Sequence, residues 1–370
     1  MELAELREEI RILDEQMAEL FVKRMEAVKG VAAYKQERGL PIEDKEQEAR
    51  VIEGRGKLIG DPQLRSYYVQ FLQSTMDISK SWQHRLMEGI RVAYCGVEGA
   101  FAHIAAIRIF PDGAAVPFAS FEEAYSSVEN GQCDLAVLPI ENSYAGEVGQ
   151  VLDLMLSGSL HVNGVYDLSV SQNLLGVPGA RLEDIRTVIS HPQAIAQCSD
   201  YLRSRGFETR EASNTAVAAR QIAELGDKST AVIASQEAAD LYGLSILDHD
   251  INESMANTTR FAVFSRVEDE FSRKREGSAF LLLFIVKDEV GGLAKAVNVI
   301  SAYNFNMRVL RSRPMKNQPW HYYFYAEVEG DDTSDNGQRM IRALKGACHM
   351  VKVAGRYTAA GNALQGGENI

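Results

Sequence analysis

Asn257-Thr258-Thr259-Arg260-Phe261, continued by Ala262-Val263-Phe264, places a polar segment directly before an apolar run that predicts a buried strand. Hydroxyl, amide and guanidinium groups at the start of a buried strand need partners, because unpaired buried polar groups are costly. A strand edge satisfied by its own backbone would explain the segment equally well. Two similar clusters upstream favour a ligand cleft: Pro139-Ile140-Glu141-Asn142-Ser143 and Ser190-His191-Pro192-Gln193-Ala194. We therefore predict that the three clusters meet in a catalytic cleft of an α/β fold.

Length and composition limit the class of protein. A chain of 370 residues is too long for one core, so two or three domains are expected. The net charge of −12 argues against a nucleic-acid surface, and no apolar run is long enough to cross a membrane. An acidic start and four cysteines without paired spacing favour a cytoplasmic protein with reduced thiols and no metal site. An anionic substrate would then need positive groups concentrated in a pocket.

The first ninety residues predict three helices. Apolar residues recur at steps of three and four from Leu3 to Leu20, which is typical of a long amphipathic helix with a narrow seam. Gly39-Leu40-Pro41 ends this helix, a second covers about residues 44–53, and Asp61-Pro62 opens a third that runs to about Met87. Three helices of this kind bury little apolar surface alone, so we expect them to pair with a second copy.

Charged and polar side chains on these helices are candidates for binding a small dianion. Arg24 and Lys35 are separated by three helical turns, so they share a face about 16 Å apart. Arg7 lies about 25 Å before Arg24 and would reach the same ligand only from an antiparallel partner copy. Solvated charges on amphipathic helices are the plainer explanation for any single residue. The whole set nevertheless resembles the active site of the all-helical chorismate mutase family: Arg7, Arg24, Lys35, Asp44, Glu48, Ser79 and Gln83.

This resemblance implies a pericyclic rearrangement that needs neither a nucleophile nor a cofactor. The cations, Asp44 and Ser79 would hold the substrate in its compact conformer, while Gln83 and a protonated or hydrogen-bonded Glu48 would act at the ether oxygen. A buried Glu48 would have to be neutral to help there, through desolvation. One position departs from the family, because Gln47 stands where an arginine is usual. Loss of that cation is expected to weaken carboxylate binding.

After Gly89 the pattern changes to strands that alternate with helices, which predicts a mostly parallel sheet. The long crossing strand over Val162–Val170 indicates two lobes with a cleft between them, similar to the periplasmic-binding-protein architecture. The order and spacing of five segments across Arg91–Ser265 closely resemble prephenate dehydratase: Gly96-Val97-Glu98-Gly99, Pro139-Ile140-Glu141-Asn142, Ser190-His191-Pro192-Gln193-Ala194, Leu241-Tyr242-Gly243-Leu244 and Thr259-Arg260-Phe261.

In that family the threonine of Thr-Arg-Phe is the residue most closely tied to catalysis. The resemblance implies that Thr259 holds the leaving hydroxyl of prephenate, with Glu141 or a bound water as the proton source. It also implies that further side chains of the clusters orient or balance the carboxylates or complete the catalytic site: Asn142, Ser190, His191, Gln193, Arg260 and Phe261. His191 is equally well explained as a turn residue held by Pro192, and Glu141 as a helix cap.

The last hundred residues predict a further domain after a linker. A charged linker is predicted over Arg266–Gly277, followed by strand and helix patterns in βαββα order and a disordered tail from Ala359. With the segments Gly291-Gly292-Leu293-Ala294 and Arg311-Ser312-Arg313-Pro314, this order resembles an ACT domain, a small module that senses amino acids, and the two segments match the ligand-binding motifs of that family. Arg311 replaces a glutamate and reverses its charge. A purely structural dimerisation module remains an alternative.

We therefore predict a multidomain protein with three parts: an all-α chorismate mutase domain (residues 1–89), a two-lobed α/β dehydratase domain (90–266) and an α+β ferredoxin-like ACT domain (278–358). The predicted function is conversion of chorismate to prephenate and of prephenate to phenylpyruvate, without cofactor or metal, under feedback control by L-phenylalanine, in a homodimer or higher homo-oligomer. Two alternatives stay open. One is a dehydratase that prefers arogenate, and the other is a non-catalytic amino-acid sensor.

Overall fold

The computed structural model describes residues 2–254, 257–268, 278–316, 318, 320–358 and 363–364. Its helices are α1 Leu3–Arg38, α2 Lys45–Gly56, α3 Pro62–Glu88, α4 Phe101–Ile109, α5 Phe121–Glu129, α6 Gly149–Ser157, α7 Pro192–Gln197, α8 Ser199–Arg205, α9 Thr215–Leu225, α10 Gln236–Tyr242, α11 Gly292–Ala302 and α12 Asp335–Ala347. Its strands are β1 Arg91–Cys95, β2 Ala114–Phe118, β3 Leu135–Asn142, β4 Gly146–Glu147, β5 His161–Ser169, β6 Asn173–Gly176, β7 Thr187–Ser190, β8 Glu208–Glu211, β9 Thr230–Ala234, β10 Ser245–Asp248, β11 Thr258–Ser265, β12 Ser278–Val286, β13 Met307–Pro314, β14 Tyr322–Glu329, β15 Cys348–Thr358 and β16 Ala363–Leu364.

The chain divides into two compact units. One is helical and comprises residues 1–91 with the short segments 112–114 and 131–134, and the other comprises the remaining residues. Within the described residues, every helix is too short or too polar to span a lipid bilayer.

The helical unit has the three helices that the sequence predicts. Gly39 adopts a left-handed conformation (φ 61°) and ends α1. Asp61 accepts hydrogen bonds from the first backbone amides of α3, with Pro62 in the first helical position. The seam of α1 is open along the first half of the helix, since Ile10, Met17 and Leu20 are 50–63% exposed.

The second unit begins with two lobes of a predominantly α/β fold. The first lobe is built on the strand order β5-β11-β3-β1-β2, in which β1 and β3 are parallel and β11 is antiparallel to both of its neighbours. The second lobe has the order β10-β6-β9-β7-β8. The chain crosses between the lobes twice, after β5 and before β11, and Val170 of the first crossing donates to the Asn257 carbonyl of the second at 2.8 Å. The two predicted lobes are thus confirmed.

The C-terminal part has the order βαββαβ, one strand more than predicted. Its four strands follow the order β13-β14-β12-β15. Phe280, Leu282 and Phe284 of β12 share one apolar core with Ala296 and Ile300 of α11 and with Met340 and Leu344 of α12. The additional strand β15 also pairs with β5, where Gly355 lies opposite Val162, so one sheet continues from the C-terminal part into the first lobe. A methyl group on Gly355 would overlap the Val162 carbonyl, and glycine is therefore required at this junction.

Two predictions fall mainly outside the described residues. The charged linker over 266–277 is described only as far as residue 268. The tail from Ala359 is described only at Ala363–Leu364, which pair with β5 as the short strand β16.

Candidate active sites

A cavity of about 510 Å³ lies between the two lobes of the second unit. Both lobes and the first crossing contribute polar side chains to its wall: Cys95, Asn142, Glu147, Gln172, His191, Gln193, Gln197, Ser213, Asn214, Thr215 and Thr259. Apolar residues complete the wall, among them Phe101, Phe121, Pro139 and Phe261. The three polar clusters that the sequence singled out therefore each supply side chains to one cavity.

Thr259 and Asn142 form the best-defined contact in this cavity. They are direct neighbours across the antiparallel pair of β11 and β3, and Asn142 Nδ2 donates to Thr259 Oγ1 at 2.9 Å. Asn142 Oδ1 accepts from the backbone amides of Tyr144 (3.0 Å) and Ala145 (2.9 Å), which fixes the orientation of its amide. Because Thr259 Oγ1 already accepts a hydrogen bond, its own proton is available to a ligand.

Glu141 and Arg260, which were predicted to act in the cleft, do not line the cavity. They are neighbours of Asn142 and Thr259 on the same two strands, and successive side chains of a strand point to opposite faces. Arg260 instead pairs with Glu327 of β14 at 2.6 Å, and Glu141 pairs with Arg311 of β13 at 3.1 Å. Both side chains thus face the C-terminal part. The prediction that Glu141 and Arg260 act directly in the cleft is therefore wrong.

Ser190 is also removed from the cleft. Its hydroxyl donates to the Ile233 carbonyl at 2.7 Å, and the residue is fully buried outside the cavity wall. His191 and Gln193 do line the cavity. His191 is the N-cap of α7 and its Nδ1 accepts from the Gln193 amide at 3.2 Å, so the neutral ring carries its proton on Nε2.

The electrostatics of the cavity differ from the prediction of concentrated cationic side chains. Among the described residues of its wall none is lysine or arginine, and the one carboxylate, Glu147, lies 3.7 Å from Arg313. The N-terminal ends of five helices, α4, α5, α6, α7 and α9, reach the wall instead. Backbone amides and the positive ends of helix dipoles attract anions without a charged side chain.

Several residues of the cavity were missed by the sequence analysis. Gln172 and Gln197 are buried in its wall, with Gln172 Nε2 donating to Gln197 Oε1 at 3.3 Å. Asn214 caps α9 next to Ser213 and Thr215. The Ser-Asn-Thr run before a helix is an N-cap signal, and its place after β8, at the end where parallel strands carry sites, was the available indication.

Burial governs the ionisation of the remaining candidate groups near the cavity. Desolvation, reinforced by Glu123, raises the pKa of the Cys95 thiol, so the thiolate is disfavoured. Desolvation lowers the pKa of His103, whose Nδ1 accepts from the Gly99 amide at 3.2 Å. Neither group is prepared for nucleophilic attack.

In the helical unit, three of the predicted mutase residues lie together: Arg24, Ser79 and Gln83. Arg24 donates to the Ser79 hydroxyl and to the Thr75 carbonyl (3.3 Å), and Gln83 follows one turn later on α3. Ser79 and Gln83 are buried, and no described residue hydrogen-bonds Gln83 Oε1. Desolvation, together with the charge of Arg55, lowers the pKa of Arg24. A buried amide oxygen without a partner, beside a buried hydroxyl and a guanidinium, suits a polar ligand.

The other predicted mutase residues are arranged differently from the prediction. Glu48 accepts a hydrogen bond from Lys80 Nζ at 3.1 Å, and the two side chains form an ion pair. Lys35 donates to the Ile42 carbonyl (2.6 Å), and Asp44 caps α2. Burial alone would lower the pKa of Lys80, but Asp77 and Glu48 outweigh it and raise that pKa. Arg7 is exposed.

The predicted effector motifs lie on α11 and β13. Gly291 has a positive φ of 78°, and a methyl group on Gly292 would overlap the Lys287 carbonyl. Ser312 and Pro314 are exposed on one face of β13. Arg313 points to the other face, where Nε lies 3.1 Å from the Tyr323 hydroxyl and 3.6 Å from Asp153 of α6. Arg313 therefore binds the first lobe, and its prediction as an effector ligand beside Ser312 is corrected.

Comparison with known proteins identifies relatives of both units. Family descriptions of chorismate mutase type II and of prephenate dehydratase match residues 6–84 and 92–269. A bifunctional chorismate mutase/prephenate dehydratase of Aquifex aeolicus is 30% identical over 370 residues, covering 97% of this chain and 98% of its own length. An arogenate dehydratase/prephenate dehydratase of Arabidopsis thaliana is 35% identical over 277 residues, which is 72% of each chain.

Solved structures support the same fold for the second unit. A prephenate dehydratase of Arthrobacter aurescens in complex with L-Phe superposes with a TM-score of 0.67 at 24% identity, covering 73% of this chain and 90% of that one. A protein described as a novel type of quorum quenching acylase superposes with a TM-score of 0.68 at 31% identity, covering 73% and 98%.

Proposed function

Because the chain belongs to the bifunctional chorismate mutase/prephenate dehydratase family, we propose that its two reactions take place at two separate sites, one in each unit. The chain catalyses the rearrangement of chorismate to prephenate and the conversion of prephenate to phenylpyruvate in phenylalanine biosynthesis. The mutase reaction belongs to the cluster around Arg24, Ser79 and Gln83. The dehydratase reaction belongs to the interlobe cavity.

The dehydratase proposal depends mainly on the contact between Asn142 and Thr259. In the reaction, the bond to the ring carboxylate breaks, its electron pair makes the ring aromatic, and the ring hydroxyl leaves. Aromatisation drives this process, so the enzyme mainly assists departure of the hydroxyl. Thr259, with its oxygen occupied by Asn142 Nδ2 at 2.9 Å, directs its own proton to that leaving oxygen. The departing hydroxide takes a proton from water, and the hydroxide formed in this way is neutralised in the solvent, so the reaction takes up one proton overall. Such hydrogen-bond assistance contributes roughly 10²–10⁴ in rate.

The carboxylates of prephenate are bound, in this proposal, by backbone amides at the helix ends. The N-termini of α4 and α9 face the cavity with no lysine or arginine among the described wall residues. His191 Nε2 and Gln193 add neutral donors from the second lobe. Neutral donors and helix dipoles hold the side-chain carboxylate without stabilising the ring carboxylate as strongly as an arginine would, and a weakly held carboxylate is lost more readily as CO2.

The mutase proposal places the substrate carboxylates near Arg24 and Lys35, and places Gln83 at the ether oxygen. Lys80 beside Glu48 provides a cation in the region where Gln47 replaces the usual arginine. A second copy would cover the exposed seam of α1 and supply Arg7, and burying that apolar surface stabilises such a pair. We therefore propose a homodimer or a higher homo-oligomer, located in the cytoplasm.

L-Phenylalanine is the proposed effector, and the C-terminal part is the proposed ACT domain. Its support is the βαββαβ order, the glycine pair at the start of α11, and the L-Phe complex of the Arthrobacter aurescens protein. The ligand residues proposed on this chain are Gly291, Gly292, Leu293, Ala294, Ser312 and Pro314. Phenylalanine must bind two states of the protein with different affinity to change the dehydratase rate.

Other activities have less support. An acylase reaction requires a nucleophile activated by a base, and Thr259 hydrogen-bonds to an amide while burial raises the pKa of Cys95. Arogenate differs from prephenate by an amine in place of a ketone, and the plant relatives act on it by their names. Assays with prephenate and with arogenate show which of these two substrates the dehydratase prefers.

The proposed division of labour is tested with full-length protein and chorismate as the substrate. Loss of chorismate reports the mutase, and phenylpyruvate reports the dehydratase. Thr259→Val keeps the shape but removes the hydroxyl, so we expect prephenate to accumulate while chorismate disappears at the parent rate. Thr259→Ser serves as the matched control and retains most of the phenylpyruvate formation. Phenylpyruvate at the parent rate in Thr259→Val would refute the role of Thr259.

A further inference from the structure

Arg260 connects the strand that carries Thr259 to a buried carboxylate of the C-terminal part. Its Nη1 lies 2.6 Å from Glu327 Oε1 on β14, and Glu327 is 1% exposed. Glu327 also accepts from the hydroxyls of Tyr325 (2.9 Å) and Tyr357 (2.8 Å). A carboxylate this deeply buried is stable as an anion only when it is paired and hydrogen-bonded. Arg260 supplies the positive charge that this buried cluster requires.

The same guanidinium also contacts the two strands that flank β11. Arg260 Nε lies 3.2 Å from Asp167 on β5, and Nη1 lies 3.8 Å from Glu141 on β3. Burial alone would lower the pKa of Arg260, but Glu327 together with Tyr357 and Tyr325 outweighs this effect and raises the pKa. One side chain thus joins three strands of the first lobe to the C-terminal part.

The backbone at this point is irregular. The register between β11 and β3 shifts between Arg260 and Phe261, which is the signature of a β-bulge. Bulges re-aim side chains next to active sites and interrupt the regular ladder. Thr259 and Phe261 face the cavity from this segment of β11. β11 keeps a continuous register with β5 over Thr258–Val263, but its pairing with β3 is interrupted at the extra residue Ile140, so the ladder with β3 alone does not fix their direction.

We propose that Arg260 is a positioning residue of the dehydratase reaction, with Glu327 as its counter-ion, so that the C-terminal part holds Thr259 in place even when no effector is bound. This inference rests on the proposed role of Thr259. Arg260 does not touch the substrate and acts through the strand. Displacement of a catalytic group by about 1 Å can reduce a rate about 10²-fold, so loss of this anchor changes turnover more than binding.

The test compares Arg260→Lys, Glu327→Gln and the double variant in full-length protein. With prephenate as the substrate, we expect kcat to fall roughly 10–100-fold for Arg260→Lys and about 10-fold for Glu327→Gln, with KM changed by less than about threefold. Because the two residues act as a unit, the double variant should lose no more than the more damaged single variant. Chorismate consumption, measured on the same samples, should remain at the parent rate.

Glu329→Gln is the matched control. Glu329 lies two residues further along β14 and forms a surface ion pair with Arg308, so its neutralisation should leave both activities unchanged. A parent-like kcat in Arg260→Lys and Glu327→Gln would overturn the inference, as would a raised KM at unchanged kcat or equal losses of both activities. Thr259→Val separates failure of the positioning role from failure of the proposed site. If Thr259→Val abolishes phenylpyruvate formation while the Arg260 and Glu327 variants do not reduce it, only the positioning role is wrong. If Thr259→Val has no effect, the proposed dehydratase site is wrong.

Discussion

Asn142 Nδ2 lies 2.9 Å from Thr259 Oγ1, across the antiparallel pair of β3 and β11. The amide of Asn142 cannot be reversed without loss of the two hydrogen bonds that its oxygen accepts from the backbone of residues 144 and 145. The direction of the hydrogen bond to Thr259 is therefore fixed by the turn that follows β3. Because the turn fixes Asn142 as the donor, Thr259 Oγ1 is the acceptor in this contact and its own proton remains available to the cavity.

Asn142→Asp tests this direction. A carboxylate accepts hydrogen bonds at both oxygens, so it would take the Thr259 proton that the native contact leaves free. We expect kcat for prephenate to fall by at least about 10²-fold, the lower end of the usual contribution of proton donation. Mutase activity in the same protein should be unchanged. A dehydratase kcat within twofold of the parent would show that Thr259 does not act as a donor.

Ser190→Ala tests the correction made to the second cluster. The hydroxyl of Ser190 donates to the Ile233 carbonyl at 2.7 Å and does not reach the cavity wall. Its removal should lower the free energy of unfolding by about 1–3 kcal/mol, because a buried carbonyl loses its partner. The kcat for prephenate at 25 °C should stay within about twofold. A much larger loss of kcat without a loss of stability would return Ser190 to the catalytic group.

The sequence predicted which segments meet but not which side chains face the cleft. Thr259, Asn142 and His191 do line one cavity. Strand alternation, applied to the same segments, would have placed Arg260 and Glu141 on the other face. That Ser190 would find its partner in β9 depends on strand order, which local pattern does not contain.

Two further features could not be read from the sequence for physical reasons. The sequence of β15 contains Gly355, which weakens a strand pattern, and it lacks clear turn signals. Its extended form is imposed by pairing with β12 and β5. The helix N-termini at the cavity wall are backbone features, which composition does not reveal. In contrast, Asp61-Pro62 and Gly39 act through local geometry, and both act as predicted.

Lys80→Met tests the mutase cluster. Lys80 lies 3.1 Å from both Glu48 and Asp77, and its side chain is 22% exposed. If Lys80 supplies the cation that Gln47 lacks, mutase kcat/KM should fall about tenfold or more, since a charge-assisted contact is worth roughly 1.5–3 kcal/mol. Lys57→Met, which removes an exposed pair with Glu53, is the control and should have no effect. Equal mutase activity in the two variants would contradict a role for Lys80.

Gly355→Ala tests whether the C-terminal part and the first lobe function as one body. The added methyl group would overlap the backbone of Val162, which cannot move aside as a flexible side chain would. Separation of β15 from β5 should destabilise this unit by about 1–3 kcal/mol. It should also lower the dehydratase rate, because the anchor of Arg260 on Glu327 depends on the same docking. Mutase activity should be retained.

Gly346→Ala is the matched control for this substitution. Gly346 lies in the last turn of α12, and no atom lies within 4 Å of an added methyl group, so alanine should be neutral or stabilise by up to about 1 kcal/mol. Thermal unfolding should show the difference, since 1 kcal/mol corresponds to roughly 2–4 °C for a unit of 150–250 residues. If Gly355→Ala unfolds at the parent temperature and retains full dehydratase activity, the junction between β15 and β5 does not hold the reaction strand. The coupling must then run through side-chain contacts such as that between Arg260 and Glu327 of β14.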